Sequence, residues 1–494
     1  MSVAELTSAA ERLKDQSLWQ TKSYIDGEWV EGSASFAVTN PANNALLADV
    51  ADVGAAGARQ AVAAASRAFE TWKKTSPFQR AALLMRWHQL ILENVDDLAA
   101  LITLEMGKAY REAQGEVVYG ASFIEWSAEE AKRIHGETMA TPFPGTRGWT
   151  TRQPIGVVAC ITPWNFPNAM ITRKCAPALA AGCTMVIKPA PETPLSALAL
   201  AVLAERAGIP KGVFNVICGD AEQLGPVMTE APDVRMIGFT GSTAVGKLLM
   251  RQAADGVKRV ALELGGNAPF IVMDDADPEV AADGIIASKY RVSGQTCVSA
   301  NRIIAQPGIA DALVAALQKR VDALKPGDGF DGSTDIGPLI HHEAVERVDA
   351  LVKDARDSGA TILAGGKPLT DELGGAFYAP TLIEGGNPSM DLACFEIFGP
   401  VASIYRAETE DEIIKLANDT PYGLAAYLYT NDVTRIHRMT EALEYGMIGV
   451  NAPMVGAAST PFGGVKESGI GREGGKWGVE EFTELRYVLL GGIE

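Results

Sequence analysis

Gly156-Val-Val-Ala-Cys-Ile161, a short apolar run, leads through Thr162-Pro-Trp-Asn-Phe-Pro167 into a helical stretch near 169–181 and a second apolar run, Thr184-Met-Val-Ile187. Apolar runs of this length without polar alternation suit strands covered on both faces. The rhythm then repeats. Thr184–Ile187 precedes a helical stretch over 194–207, Val213–Ile217 one over 220–230, and Val234–Phe239 one over 242–254. Parallel strands need crossover connections, so this order predicts an α/β fold with a parallel sheet between covering helices.

Outward from that core, a second α/β stretch begins near Pro269–Met273. It continues through helical patterns at 277–290, 309–323, 343–357, 409–418 and 432–443. Gly265-Gly-Asn267 breaks the pattern, which places a domain boundary near Leu262–Gly266. At 494 residues the chain exceeds the roughly 250–300 at which one core stops growing, so more than one domain is expected. Upstream lie a hairpin-like Tyr24-Ile-Asp-Gly-Glu-Trp29 and helical patterns over 57–135, the best carrying Leu83, Leu84, Trp87, Leu90 and Ile91. The tail, Phe482 to Leu490, suits either an edge strand or a strand shared with another subunit.

Lys and Arg total 43 against 61 Asp and Glu, a net charge of −18 that repels phosphate backbones and argues against a nucleic-acid partner. Cysteines at 160, 175, 183, 218, 297 and 394 have neither zinc spacing nor the density of a disulfide scaffold, so no metal is expected. His341-His342 reads as solvated surface. Ala4 to Gln20 lacks an apolar signal core, and Ala197–Ala204 is too short to span a bilayer. No membrane role and a reducing, cytoplasmic location follow as expectations.

Chemistry concentrates around Tyr290-Arg-Val-Ser-Gly-Gln-Thr-Cys297, where small turn-forming neighbours present a thiol at a bend. A presented cysteine is a candidate nucleophile, and a buried one is merely a small hydrophobe. Asn165, stiffened by two prolines at a strand end, is either a turn cap or an amide donor to an oxyanion. Glu263, between leucines, is either a general base with a raised pKa or a strand glutamate on a solvated face. Phe239-Thr-Gly-Ser-Thr-Ala-Val-Gly-Lys247 is a strand–turn–helix whose helix start suits phosphate, although it is neither a P-loop nor a strict GxGxxG. Lys188 ends a neighbouring strand.

Together, Pro163–Pro167, Lys188-Pro189, Phe239–Gly246, Glu263–Asn267, Gly294–Cys297, Glu396-Ile-Phe-Gly-Pro400 and Pro461-Phe-Gly-Gly-Val-Lys-Glu-Ser-Gly469 resemble the aldehyde dehydrogenase superfamily, from about Ile25 to the end. The resemblance implies two Rossmann-like parallel-sheet domains and a small β oligomerisation flap. A dinucleotide-binding domain would take 1–139 and 156–262, a catalytic domain 263–472, and the flap and tail 140–155 and 473–494. It further implies Cys297 as nucleophile, Asn165 and the Cys297 amide as oxyanion donors, Glu263 as water-activating base, and Lys174 and Glu473 as its proton relay. NADP or NAD would meet Trp164, Lys188, Glu192, Gly241, Ser242, Gly246, Leu264, Glu396 and Phe398. A homodimer or homotetramer is implied. Within the superfamily, Ala169-Met-Ile-Thr-Arg-Lys174 and Ser288-Lys-Tyr-Arg291 are most similar to the succinate-semialdehyde group, with Arg173 and Arg291 as clamps for the substrate carboxylate.

Three positions depart from that pattern. Gly456 stands where the group carries a serine for the substrate carboxylate, leaving Ser459 as a substitute or the pocket open to a longer chain such as glutaric or oxoglutaric semialdehyde. Ser299 replaces a frequent second cysteine and rules out a Cys-x-Cys switch. Pro191 replaces the glutamate that favours NAD, with Glu192 one place on, which suits use of both dinucleotides. The rival readings are acyl transfer to coenzyme A, a thiol esterase, and a non-catalytic binding protein of the same fold.

Overall fold

The computed structural model describes residues 9–493; residues 4–8 of the N-terminal stretch and Glu494 of the tail lie outside the described residues. The first sheet has the order Gly469–Ile470, Arg259–Glu263, Val234–Thr240, Val157–Ile161, Thr184–Lys188, Phe214–Val216, Ser23–Ile25, Glu28–Val30. The strands from Arg259–Glu263 to Phe214–Val216 run parallel. Strand order therefore reverses beside Val157–Ile161, and ligands in such sheets gather at that reversal, outside the strand ends. Asp26 and Gly27, at φ +53° and +76°, close the Tyr24–Trp29 hairpin with the left-handed pair a two-residue turn requires.

The crossover helix Ala169–Ala181 is buried on every side between the sheet and the helices Pro77–Glu93 and Tyr110–Ala131. That is why its sequence shows no polar face, and why Arg173 and Lys174 within it need internal partners.

A second sheet follows in the order Thr361–Ala364, Thr381–Glu384, Val401–Arg406, Ala300–Ala305, Ala268–Val272, Ala425–Tyr429, Met447–Val450, parallel except at its first strand. The helix expected over 309–323 begins at Pro307, whose fixed φ and missing N–H suit a first turn. Gly469–Ile470 returns from this half to pair with Leu262 and Glu263, so both sides of that strand's end are covered. Glu263 is buried, and the solvated-face alternative for it falls.

The tail finds its partner within the chain. Thr483–Gly491 pairs antiparallel with Thr146–Pro154 along its whole length, and Thr138–Met139 adds a third strand. Thr483–Gly491 forms one edge of this sheet, and Leu485, Tyr487, Leu489 and Leu490 on it are exposed. No helix among the described residues is long and apolar enough to cross a membrane.

Candidate active site

A cavity of about 660 Å3 opens where the first sheet reverses, walled by the segments after Ile161, Thr240 and Glu263 and, from the second half, by the turn that carries Cys297. The turn is built under constraint. Val292, Ser293 and Gly294 all take positive φ, and a Cβ on Gly294 would lie 2.1 Å from the Gly399 carbonyl oxygen, so only glycine fits. The Ser299 amide then donates to Thr296 O at 3.0 Å, closing a bend with Cys297 at its crest. From below, the buried Lys289 ammonium donates to Ser299 Oγ (3.1 Å) and Asn301 Oδ1 (2.7 Å). Burial pushes Lys289 down to about 7. Burial likewise pushes the Cys297 thiol up to about 12, with Glu396 and Glu263 adding to the rise and Arg173 opposing it.

Asn165 lines the same cavity, and its Nδ2 donates to the Gln295 carbonyl at 2.9 Å, leaving one N–H uncommitted. Glu263 reaches the cavity with Oε2 unpartnered, its carboxyl held well above the usual range by burial and by the nearby Glu473. Glu473 goes the other way. Burial would raise it, but the Lys174 ammonium and the Arg173 guanidinium pull it below its ordinary value. Two carboxyls with oppositely displaced pKa values in one cavity divide naturally into a group that takes up a proton readily and one that is ionised at rest.

Both arginines expected to clamp the substrate carboxylate line the cavity, in different surroundings. Arg173 Nε lies 2.5 Å from Glu473 Oε2 and its guanidinium sits 3.7 Å from the Phe462 ring centre, so its charge is already answered. Arg291 forms no ion pair among the described residues and its buried Nε has no hydrogen-bond partner; Arg173 Nη2 is buried and unpartnered as well, so both guanidiniums keep a donor for a ligand and only Arg291 lacks a counter-charge. Ser459, the expected substitute for the missing serine, is exposed and lies outside the cavity wall. Gly456 is in the wall, where a Cβ would lie 3.1 Å from the Tyr119 hydroxyl. Sequence reasoning missed Tyr119, because the helix Tyr110–Ala131 reads as an ordinary packed helix around it.

At the cavity's other end, Thr240, Gly241, Ser242, Leu264, Glu396 and Phe398 line the wall with Trp164. Glu396 Oε1 accepts from the Gly266 amide at 3.0 Å, and burial pushes its carboxyl up to about 7. Arg347, also missed from sequence, donates to the carbonyls of Glu396 (3.0 Å) and Ile397 (2.7 Å) and so fixes the segment that turns Phe398 edge-on to Trp164. Ser242 caps the helix Thr243–Asp255, and Gly246 permits Leu264 to pack against it. Lys188 and Glu192 lie beyond this wall. Lys188 is buried with one partner, Pro189 O at 3.1 Å, and retains donors for another ligand; Glu192 is partly exposed nearby. A spare buried cation, a capped helix start and a carboxylate fit the hydroxyls and pyrophosphate of a dinucleotide. Among the described residues no group of three or more His, Cys, Asp or Glu is placed to hold a metal ion.

The chain belongs to the aldehyde dehydrogenase family, whose pattern it matches over residues 29–488. It is 51% identical to the 3-sulfolactaldehyde dehydrogenase of Pseudomonas putida, covering 98% of this chain and 99% of that one. It is 49% identical to the NADP-dependent succinate-semialdehyde dehydrogenase of Escherichia coli, covering 97% of this chain and all of that one. The crystal structure of succinate-semialdehyde dehydrogenase from Burkholderia pseudomallei superposes with a TM-score of 0.96 at 49% identity, over 97% of this chain and 100% of that one.

Proposed function

We propose that the protein oxidises a small aldehyde carrying an acidic group at its far end, succinic semialdehyde first among them, to the corresponding acid. The carrying observation is one cavity that holds Cys297, Asn165 and Glu263 together with the uncommitted guanidinium of Arg291. Arg291 holds the substrate's acidic group, while Arg173 serves mainly to keep Glu473 ionised. Cys297 Sγ passes its proton to Glu263 and bonds to the aldehyde carbon, giving a thiohemiacetal. The free N–H of Asn165 Nδ2 and the Cys297 amide meet the carbonyl oxygen as it gains charge. A bound NADP or NAD, at Trp164, Lys188, the Ser242 helix start and Glu396, supplies the hydride acceptor. Glu473 and Lys174 draw that first proton away from Glu263, which then takes a second from water; the water oxygen attacks the acyl-cysteine thioester, and the acid leaves as the Cys297 sulfur is freed. A buried water-activating carboxylate argues against transfer to coenzyme A.

Pro191 in place of a carboxylate supports acceptance of NADP, and Glu192 supports NAD as well. The exposed apolar edge Thr483–Gly491 supports a homodimer or homotetramer built on that sheet, and the six unpaired cysteines suit a reducing, cytoplasmic setting. A second reading, a sulfonate in place of the carboxylate, is favoured by the lack of a serine side chain at Gly456 in the cavity wall and by the Pseudomonas putida relative. Reduction of NADP and of NAD with succinic semialdehyde, glutaric semialdehyde, 3-sulfolactaldehyde and a neutral aldehyde of equal length tests both. Equal turnover of the neutral aldehyde would remove the anion-binding role of Arg291.

A further inference from the structure

Lys108 and Glu116 form an ion pair with neither side chain appreciably exposed. A buried pair is weak grounds for stability, because desolvating both charges offsets most of their attraction. The remaining hydrogen bonds of this pair have one destination. Lys108 Nζ donates to the backbone carbonyl of Asn165 at 2.9 Å and lies 3.9 Å from the Phe166 ring centre. Glu116 Oε1 accepts from the amides of Asn168 (2.9 Å) and Ala169 (3.2 Å), at the start of the helix Ala169–Ala181. Asn165 is thus gripped at its own peptide and three residues on by one neutralised pair from the outer helical layer. The same layer treats the neighbouring crossover alike: Glu105 accepts from the amides of Leu195 and Ser196, both at 2.8 Å, at the start of Pro194–Arg206.

We infer that Lys108 and Glu116 are positioning residues that aim the free amide hydrogen of Asn165 at the reacting oxygen. The inference rests on the oxyanion role given to Asn165 above. Lys108 lies outside the cavity wall, and Glu116 meets that wall with its carboxylate already engaged by Lys108 and by the amides of Asn168 and Ala169; the pair acts by fixing where the Asn165 backbone starts. A displacement of about 1 Å in such a donor costs on the order of a hundredfold in rate.

A double-mutant cycle on the full-length enzyme tests this. Lys108→Met lowers kcat about tenfold to a hundredfold with little change in KM, and has no further effect in an Asn165→Ala background. Glu116→Gln preserves an acceptor for Asn168 and Ala169 but removes the counter-charge. It runs the same cycle should Lys108→Met fail to fold, with thermal unfolding recorded for each variant. Full activity in Lys108→Met, or a loss that multiplies undiminished onto Asn165→Ala, overturns the brace while leaving the oxyanion reading intact. Full activity in Asn165→Ala overturns both.

Discussion

The side-chain amide of Asn165 donates to the carbonyl of Gln295 at 2.9 Å, two residues ahead of Cys297. Gln295 is itself anchored, its Oε1 accepting from the Ile340 amide at 3.0 Å and its Nε2 facing the carbonyls of Val292 and Pro338 at 3.3 Å. One hydrogen bond therefore sets the loop of the first sheet against the nucleophile turn of the second half. Asn165→Ala should lower kcat by about 10²–10³ through loss of an oxyanion donor while Cys297 still reacts with iodoacetamide. Asn165→Asp should be worse. It sets a carboxylate against a carbonyl, so its unfolding temperature should fall below that of the alanine variant.

Cys297 should be a slow thiol in the enzyme without ligands. Its pKa is pushed up to about 12 by burial, and the reactive species is the thiolate. Mass-spectrometric labelling should therefore show alkylation of Cys297 still rising with pH through about pH 10, while the exposed Cys394 labels faster throughout. A plateau at Cys297 near neutrality would mean that the site stabilises the thiolate before substrate arrives.

Glu263→Gln separates chemistry from stability. Without a base for thiol or water, the variant should give at most one reduced dinucleotide per site and a steady-state rate lower by about 10²–10⁴. The folded carboxyl has a pKa raised above its ordinary 4.5, so the folded state holds its proton more tightly than the unfolded chain. Wild-type stability from this group is whole below the ordinary value and is lost as pH rises through the raised one. The glutamine variant should accordingly gain thermal stability over wild type, and gain more at about pH 8.5 than at about pH 6.

The sequence exposes the sheet strands clearly, since each is a short apolar run closed by a turn, and it marks Cys297 and Asn165 as candidates because each sits at a bend or strand end. It does not expose what long-range packing decides. Glu263 alternates like a surface residue, and only the return of Gly469–Ile470 buries it. Arg173 and Arg291 look equivalent until the buried helix Ala169–Ala181 turns Arg173 toward Glu473, three hundred residues away in sequence. Ser459 sits three residues from the wall position of Gly456, a spacing no local pattern resolves without the loop's path. Tyr119 and Arg347 reach the cavity from helices whose own periodicity is explained by packing.

The two arginines should separate on mutation. Arg291→Met should raise KM for anionic aldehydes at least tenfold and leave a neutral aldehyde nearly unaffected, the loss of a charged hydrogen bond being about 1.5–3 kcal/mol. Arg173→Met should instead destabilise the fold, by about 3–5 kcal/mol, because it leaves Glu473 buried with only Lys174 to answer it. Equal KM effects from both variants on a folded enzyme would restore the paired clamp.

On the proposed function, Gly456 limits the room for the acidic end of the substrate. A Cβ there would stand 3.1 Å from Tyr119 Oη and 3.5 Å from the Phe462 ring, close enough that the tyrosine must shift by a few tenths of an ångström. Gly456→Ser adds a hydroxyl as well, which narrows the cavity beside Tyr119 and Phe462 and offers a short donor to a planar carboxylate. A tetrahedral sulfonate needs more width at that point than a carboxylate does. The variant should therefore shift the ratio of kcat/KM for succinic semialdehyde over 3-sulfolactaldehyde upward by about tenfold, the scale of one gained or lost contact in a pocket. An unchanged ratio, with both substrates slowed alike, would place the acidic group elsewhere in the cavity and return the choice of substrate to Arg291 alone.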